Sequence, residues 1–158
     1  MISTEPTTPD APTSPPTAGG SGDQPSAPTG GRANKTPSPH PTILFVEDDK
    51  DYRDSLKLRL TRLGYIVVEA HDGADAMLQY LASDVDIVLT DIFMPTMDGV
   101  DLIRSLQDLA PDVPIVAYSG AIDSDASGKV TCGSRVPLLS KPVDLFKLAA
   151  TLNQALRK

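Results

Sequence analysis

The chain is short of the residue types that mark disulfides and soft metal centres. It has one cysteine, Cys132, and two histidines, His40 and His71, in 158 residues. A single thiol excludes an intramolecular disulfide and any CxxC metal site. Nothing calls for an oxidising compartment, so a cytoplasmic location is expected. The two histidines have no partners evident in the sequence, which excludes a histidine metal site or a phosphotransfer domain. No apolar run approaches the roughly 20 residues that cross a bilayer, and the N-terminus lacks the basic and apolar regions of a secretory signal. Basic residues are outnumbered, 14 against 21 acidic, for a formal charge of -7. That sign disfavours non-specific nucleic-acid binding. Neither direct nucleic-acid contact nor membrane insertion is expected.

What is present divides in two. Residues 1–41 hold ten of the fifteen prolines and almost no large aliphatic residue. Such a segment buries too little apolar surface to offset its conformational entropy and is expected to be a disordered Pro/Thr/Ser/Gly-rich tail. Residues 42–158 are long enough for one compact core. There, short apolar runs alternate with stretches of 3.6-residue periodicity. Strands are expected at Ile43–Val46, Tyr65–Glu69, Ile87 to Asp91, Val113–Tyr118 and Val136–Leu139. Helices are expected over Lys50–Leu63, after Gly73, from about Asp98 with Val100, Ile103 and Leu106 inward, and through Leu145, Leu148, Leu152 and Leu156. A fourth helical slot, Ala121–Arg135, is rich in Gly, Asp and Ser and should be short, irregular or mobile. Cys132 lies in that slot and reads as incidental.

Strands alternating with helices imply βαβ units. The expected fold is α/β: a five-stranded parallel sheet of order 2-1-3-4-5 with helices on both faces, the flavodoxin-like plan. The strands read as apolar throughout, as strands covered on both sides should.

In an open parallel sheet the ligand site lies beyond the C-terminal strand ends. The first run stops at Glu47 and Asp48, the third at Asp91, the fourth at Ser119, the fifth at Lys141. One acid at a strand end reads as a cap; four strand ends delivering acid, acid, hydroxyl and lysine do not. Carboxylates packed together repel unless a cation sits among them. With no His or Cys in the cluster, a hard oxygen-loving cation is indicated, Mg²⁺ above others. Lys141 and Ser119 suit the oxygens of a phosphoryl group, which leaves Asp91 as a nucleophile toward phosphorus. Asp49, Asp51 and Asp98 read instead as helix N-terminal charges or caps, and Tyr118 as a core residue in preference to one that takes part in switching.

These residues closely resemble the receiver domain of bacterial two-component response regulators. The resemblance runs from Thr42 to Lys158 and is carried by Ile43-Leu-Phe-Val-Glu-Asp-Asp49, Asp91-Ile-Phe-Met-Pro-Thr-Met-Asp-Gly99, Val116-Ala-Tyr-Ser-Gly-Ala121 and Lys141-Pro142. It implies that Asp91 accepts a phosphoryl group from the phosphohistidine of a histidine kinase or phosphotransfer protein. It also implies that Asp48, Asp91 and the Phe93 main-chain carbonyl bind Mg²⁺, with Glu47 acting through a water. Ser119 and Lys141 would contact the phosphoryl oxygens, and the Lys141-Pro142 bond would be cis. Such a domain is not an enzyme beyond its own phosphorylation and dephosphorylation. It signals to a downstream protein by contact or by phosphorelay; a stand-alone receiver is expected here, with the receiver segment of a longer hybrid-kinase lineage as the runner-up. The family often places an aromatic residue three positions before the lysine; here that position is Leu138. Signalling through ordering of Gly120 to Arg135 is the expectation that replaces aromatic switching.

Other functions on the same sheet fit less well. Three consecutive acids after the first strand would repel a flavin phosphate, and Phe93 stands where a haloacid-dehalogenase-type phosphatase needs a second Asp. No GxxxxGK[ST] loop is present. The alternative that stays open is a receiver-like adaptor that works without phosphorylation.

Overall fold

The computed structural model describes residues 38–120 and 136–157. Five strands form one parallel sheet of order β2-β1-β3-β4-β5. The strands are β1 (Thr42–Val46), β2 (Ile66–Ala70), β3 (Ile87–Asp91), β4 (Ile115–Ser119) and β5 (Leu138–Ser140). Between and after them lie α1 (Lys50–Arg62), α2 (Gly73–Ala82), α3 (Gly99–Leu109) and α4 (Leu145–Leu156). This is the sheet order expected. The expectations for the tail up to residue 37, for Ala121–Arg135 and for Cys132 lie outside the described residues.

Alternate strand residues point to opposite faces, and each face has its own core. Leu44, Val46, Val88 and Ala117 pack against Ala76 of α2 and Leu102, Ile103 and Leu106 of α3. Ile43, Phe45, Ile87, Leu89 and Tyr118 pack against Leu56 and Leu60 of α1 and Leu148 and Leu152 of α4. Each fully buried Val, Leu, Ile or Phe among them contributes about 1.5–3 kcal/mol. The expectation that every strand is covered on both faces fails at β2. It is an edge strand, and Ile66 is 54% exposed. Three strands sit slightly later than expected, β2 running through Ala70, β4 through Ser119 and β5 through Ser140. In α3 the inward stripe is Leu102, Ile103 and Leu106, while Val100 is only partly buried.

Each described helix starts at an aspartate. Asp49, Asp72, Asp98 and Asp144 accept hydrogen bonds from the backbone N–H groups of Tyr52, Asp75, Asp101 and Lys147. Each satisfies a donor that the helix cannot. These caps lie beyond the C-terminal strand ends, among the very acids that the site would need, so they sort the acids by role. Asp49 and Asp98 are caps, as expected.

The connection from β3 to α3 is tightly wedged. A Cβ on Gly99 would lie 2.0 Å from the Asp91 carbonyl oxygen and 2.8 Å from Ile92 Cα. On its other side the connection meets α2, where a Cβ on Gly73 would lie 2.6 Å from Met97 Cγ and 2.9 Å from the Met97 carbonyl oxygen. Within this connection Thr96 has φ 74°, which a β-branched residue adopts at a cost of about 1–2 kcal/mol. Thr96→Gly is expected to raise stability by about 1 kcal/mol, after allowing for glycine's greater freedom in the unfolded chain. Urea unfolding at neutral pH measures this, and an unchanged midpoint would show that the turn holds Thr96 without strain.

Candidate functional site

The site grows directly from the sheet register. Val46 of β1 pairs with Thr90 of β3, so Asp91 lies one step past the end of β1, beside Glu47. The Glu47 N–H still bonds the Ala70 carbonyl at 3.1 Å, which extends the strand geometry by one residue and turns the Glu47 carboxylate inward. It is 1% exposed. Asp48 follows on the surface, and Asp49 caps α1. Asp91 is also buried and pairs in register with Tyr118 of β4. Ser119 ends β4, fully buried, and its carbonyl accepts the Lys141 N–H at 2.7 Å, which draws the end of β5 to the same place.

One carboxylate oxygen from each of Glu47, Asp48 and Asp91 lies within 4.8 Å of the others. Lys141 Nζ donates to Asp91 Oδ2 at 2.6 Å and to Glu47 Oε2 at 2.8 Å. The Asp49 N–H donates to Glu47 Oε1 and the Phe93 N–H to Asp91 Oδ1, both at 3.2 Å. The Phe93 side chain itself is exposed. The Lys141-Pro142 bond is cis. Three carboxylates against one ammonium leave an excess of negative charge, and the donors are oxygen alone. That set could hold a hard divalent cation.

Comparison with known proteins decides the family. Residues 43–153 match the model of the response regulator receiver domain. The chain belongs to that family. It is 34% identical over 119 residues to the sensor kinase CckA of Brucella abortus, covering 74% of this chain and 13% of that protein. It is 36% identical over 118 residues to the response regulator MprA of Mycobacterium ulcerans, covering 73% of this chain and 50% of that one. A response regulator receiver protein from Pseudomonas putida superposes with a TM-score of 0.69 at 30% identity, covering 74% of this chain and 98% of that one. The chain thus spans half or less of the length of these two curated relatives. No helix among the described residues is long and apolar enough to cross a membrane.

Electrostatics bind the receiver site together. Burial alone would lower the Lys141 ammonium, but its bonds to Asp91 and Glu47 outweigh that and raise it above the ordinary lysine value. Burial, reinforced by the Glu47 charge, pushes the Tyr118 hydroxyl well above the ordinary tyrosine value. Both shifts act in the same direction. Above about pH 10 the unfolded chain releases a tyrosine proton that the folded chain keeps. Stability from Tyr118 is therefore whole below that pH and lost progressively above it. Wild type should lose more stability than Tyr118→Phe between pH 9 and pH 11, read as urea midpoints; equal losses would exclude Tyr118 as the source.

The contacts of three residues around the site were not anticipated from the sequence. Tyr118 is core, as expected, but its hydroxyl also donates to Glu47 Oε2 at 2.9 Å and to the Val46 carbonyl at 3.1 Å. Tyr52 of α1 lies under Lys141, the ammonium 4.5 Å from its ring centroid. Arg53 donates to the Glu47 carbonyl at 2.7 Å and the Asp48 carbonyl at 3.4 Å, bracing the acidic turn. The histidines do have partners: His71 Nδ1 lies 2.6 Å from Asp75 Oδ2, and His40 Nδ1 is 3.2 Å from the Gly64 carbonyl oxygen. Neither joins the acidic cluster.

Proposed function

We propose that this receiver domain accepts a phosphoryl group on Asp91 from a phosphohistidine of a histidine kinase or phosphotransfer protein. It then signals by contact with a downstream protein, or passes the group on in a phosphorelay. The observation that carries this reading is the position of Asp91, a buried carboxylate at a strand end, bonded to Lys141 and clustered with Glu47 and Asp48. An Asp91 carboxylate oxygen forms the new bond to phosphorus as the phosphorus–nitrogen bond breaks, and the bonding pair leaves with the imidazole. Lys141 and Ser119 hold phosphoryl oxygens. Arg53 keeps the Glu47–Asp48 backbone in place.

Asp48, Asp91 and the Phe93 main-chain carbonyl would hold Mg²⁺, which when bound neutralises phosphoryl oxygens and permits close approach of donor and acceptor. Glu47 already accepts from the Asp49 N–H, Tyr118 and Lys141, so it suits a contact through water better than a direct one. Hydrolysis of the acyl phosphate by water returns Asp91 to its free state, and no other substrate is turned over. The relatives named a sensor kinase and a response regulator support a kinase or phosphotransfer partner.

Acetyl phosphate tests the reading without knowledge of the partner. Wild type with Mg²⁺ should gain one phosphoryl group by intact mass, and EDTA should abolish the gain. No adduct with Mg²⁺ present would leave a receiver-like adaptor as the better account.

A further inference from the structure

Lys141 is held by more than its two carboxylates. Its Nζ lies 4.5 Å from the Tyr52 ring centroid and 5.1 Å from that of Tyr118. The two rings stack, with centroids 6.2 Å apart and planes at 27°. Both rings are themselves fixed. The Tyr118 hydroxyl is tied to Glu47 and the Val46 carbonyl. The Tyr52 N–H is held by the Asp49 cap, and its ring packs against the core that contains Tyr118 and Val143.

An ammonium has three N–H donors and no acceptor. Lys141 directs donors to Asp91 Oδ2 and Glu47 Oε2. Once phosphorus is bonded to Asp91, that carboxylate is no longer a full anion, and the Lys141–Asp91 attraction weakens. Aromatic faces attract a cation without taking up a hydrogen bond. They therefore supply a hold that persists when the Asp91 bond is lost, and leave the N–H groups free to turn to phosphoryl oxygens. A lysine stem is otherwise flexible and its head strongly hydrated.

We propose that Tyr52 and Tyr118 are positioning residues for phosphoryl acceptance, their stacked rings fixing the Lys141 ammonium at the point from which it reaches the group arriving on Asp91. This rests on the phosphoacceptor reading above. In the test reaction the Asp91 oxygen bonds to phosphorus, the phosphorus–oxygen bond of acetyl phosphate breaks, and acetate leaves with the bonding pair.

The test uses the full chain with acetyl phosphate and Mg²⁺, comparing wild type, Tyr52→Leu, Tyr52→Phe and Tyr118→Phe. Two quantities are read: the initial rate of adduct formation, and the dissociation constant for Mg²⁺ alone by calorimetric titration. Tyr52→Leu should slow adduct formation about fivefold to tenfold. Tyr52→Phe, which keeps the ring, should stay within about twofold of wild type, since the cation–ring attraction remains. Tyr118→Phe also keeps its ring but loses the Glu47 bond, so its rate should fall less than that of Tyr52→Leu. Mg²⁺ affinity should be unchanged in both Tyr52 variants, because neither alters a carboxylate. Equal rates for Tyr52→Leu and wild type would overturn the proposal, as would equal losses in Leu and Phe. A loss of Mg²⁺ affinity parallel to the loss of rate would also overturn it, because that pattern marks general distortion. If wild type forms no adduct, the phosphoacceptor reading fails first and this one falls with it.

Discussion

Asp91→Asn is expected to take up no phosphoryl group from acetyl phosphate and Mg²⁺ under conditions that modify wild type. The substitution keeps the shape of the side chain and removes its charge and nucleophilicity. An amide oxygen at this position can still accept from the Phe93 N–H, which donates to Asp91 Oδ1 at 3.2 Å. It cannot replace the anion that Lys141 meets at 2.6 Å. Loss of that anion from a cluster of three carboxylates also relieves repulsion, so the variant should fold, and circular dichroism should match wild type. The rate loss should be complete, whereas Lys141→Ala, which spares the nucleophile, should slow the reaction by about 10²–10³ by analogy with deletion of one charge-stabilising donor. An adduct on Asp91→Asn equal to that of wild type would place the reactive group elsewhere and end the phosphoacceptor reading.

Gly99→Ala is expected to be the most destabilising small substitution in the described chain, costing about 3 kcal/mol or more. The obstacle is backbone. A Cβ would sit 2.0 Å from the carbonyl oxygen of Asp91, and no side-chain rearrangement can relieve that. The same carbonyl accepts the Thr90 hydroxyl at 2.8 Å, and the Gly99 N–H closes the connection onto the Ile92 carbonyl at 2.9 Å. Relief therefore requires moving the end of β3 or the start of α3. Gly120→Ala is the control: a Cβ there meets nothing nearer than Lys141 Cδ at 3.9 Å. Urea unfolding should separate the two variants widely. Comparable stabilities would mean that the β3–α3 connection yields far more readily than its packing implies.

The alternation of strands and helices was legible because its signals are local, whereas the spatial order of the strands is not a local property and was an expectation of the fold. Apolar runs of strand length, helix periods between them and polar residues at the run ends can all be read one segment at a time. The acids that open the first and third helices could also be sorted, since a cap is defined by its place just before a helix; Asp49 and Asp98 sit there. The exposure of β2 could not be read, because Ile66 is as apolar as any core residue and only its edge position uncovers it. Tyr52 and Tyr118 were hidden for a related reason. An aromatic in an apolar stripe or strand looks like filling, and its role depends on which polar group the folded chain brings over it. Arg53 was hidden because its partners are main-chain carbonyls, which leave no mark in a sequence.

The contact between Gly73 and Met97 bears on how a change at Asp91 can travel. With Gly99 closing one flank and Gly73 the other, the loop after β3 runs in a bearing with no clearance on either side. Displacement cannot be taken up inside such a bearing. It must either swing the loop toward solvent on its open side, where Phe93, Pro95 and Thr96 are exposed, or carry the first turn of α2 with it. The loop beside the reactive carboxylate and the start of α2 are in this sense one mechanical part, and a bulky side chain at position 73 would jam it as surely as one at position 99.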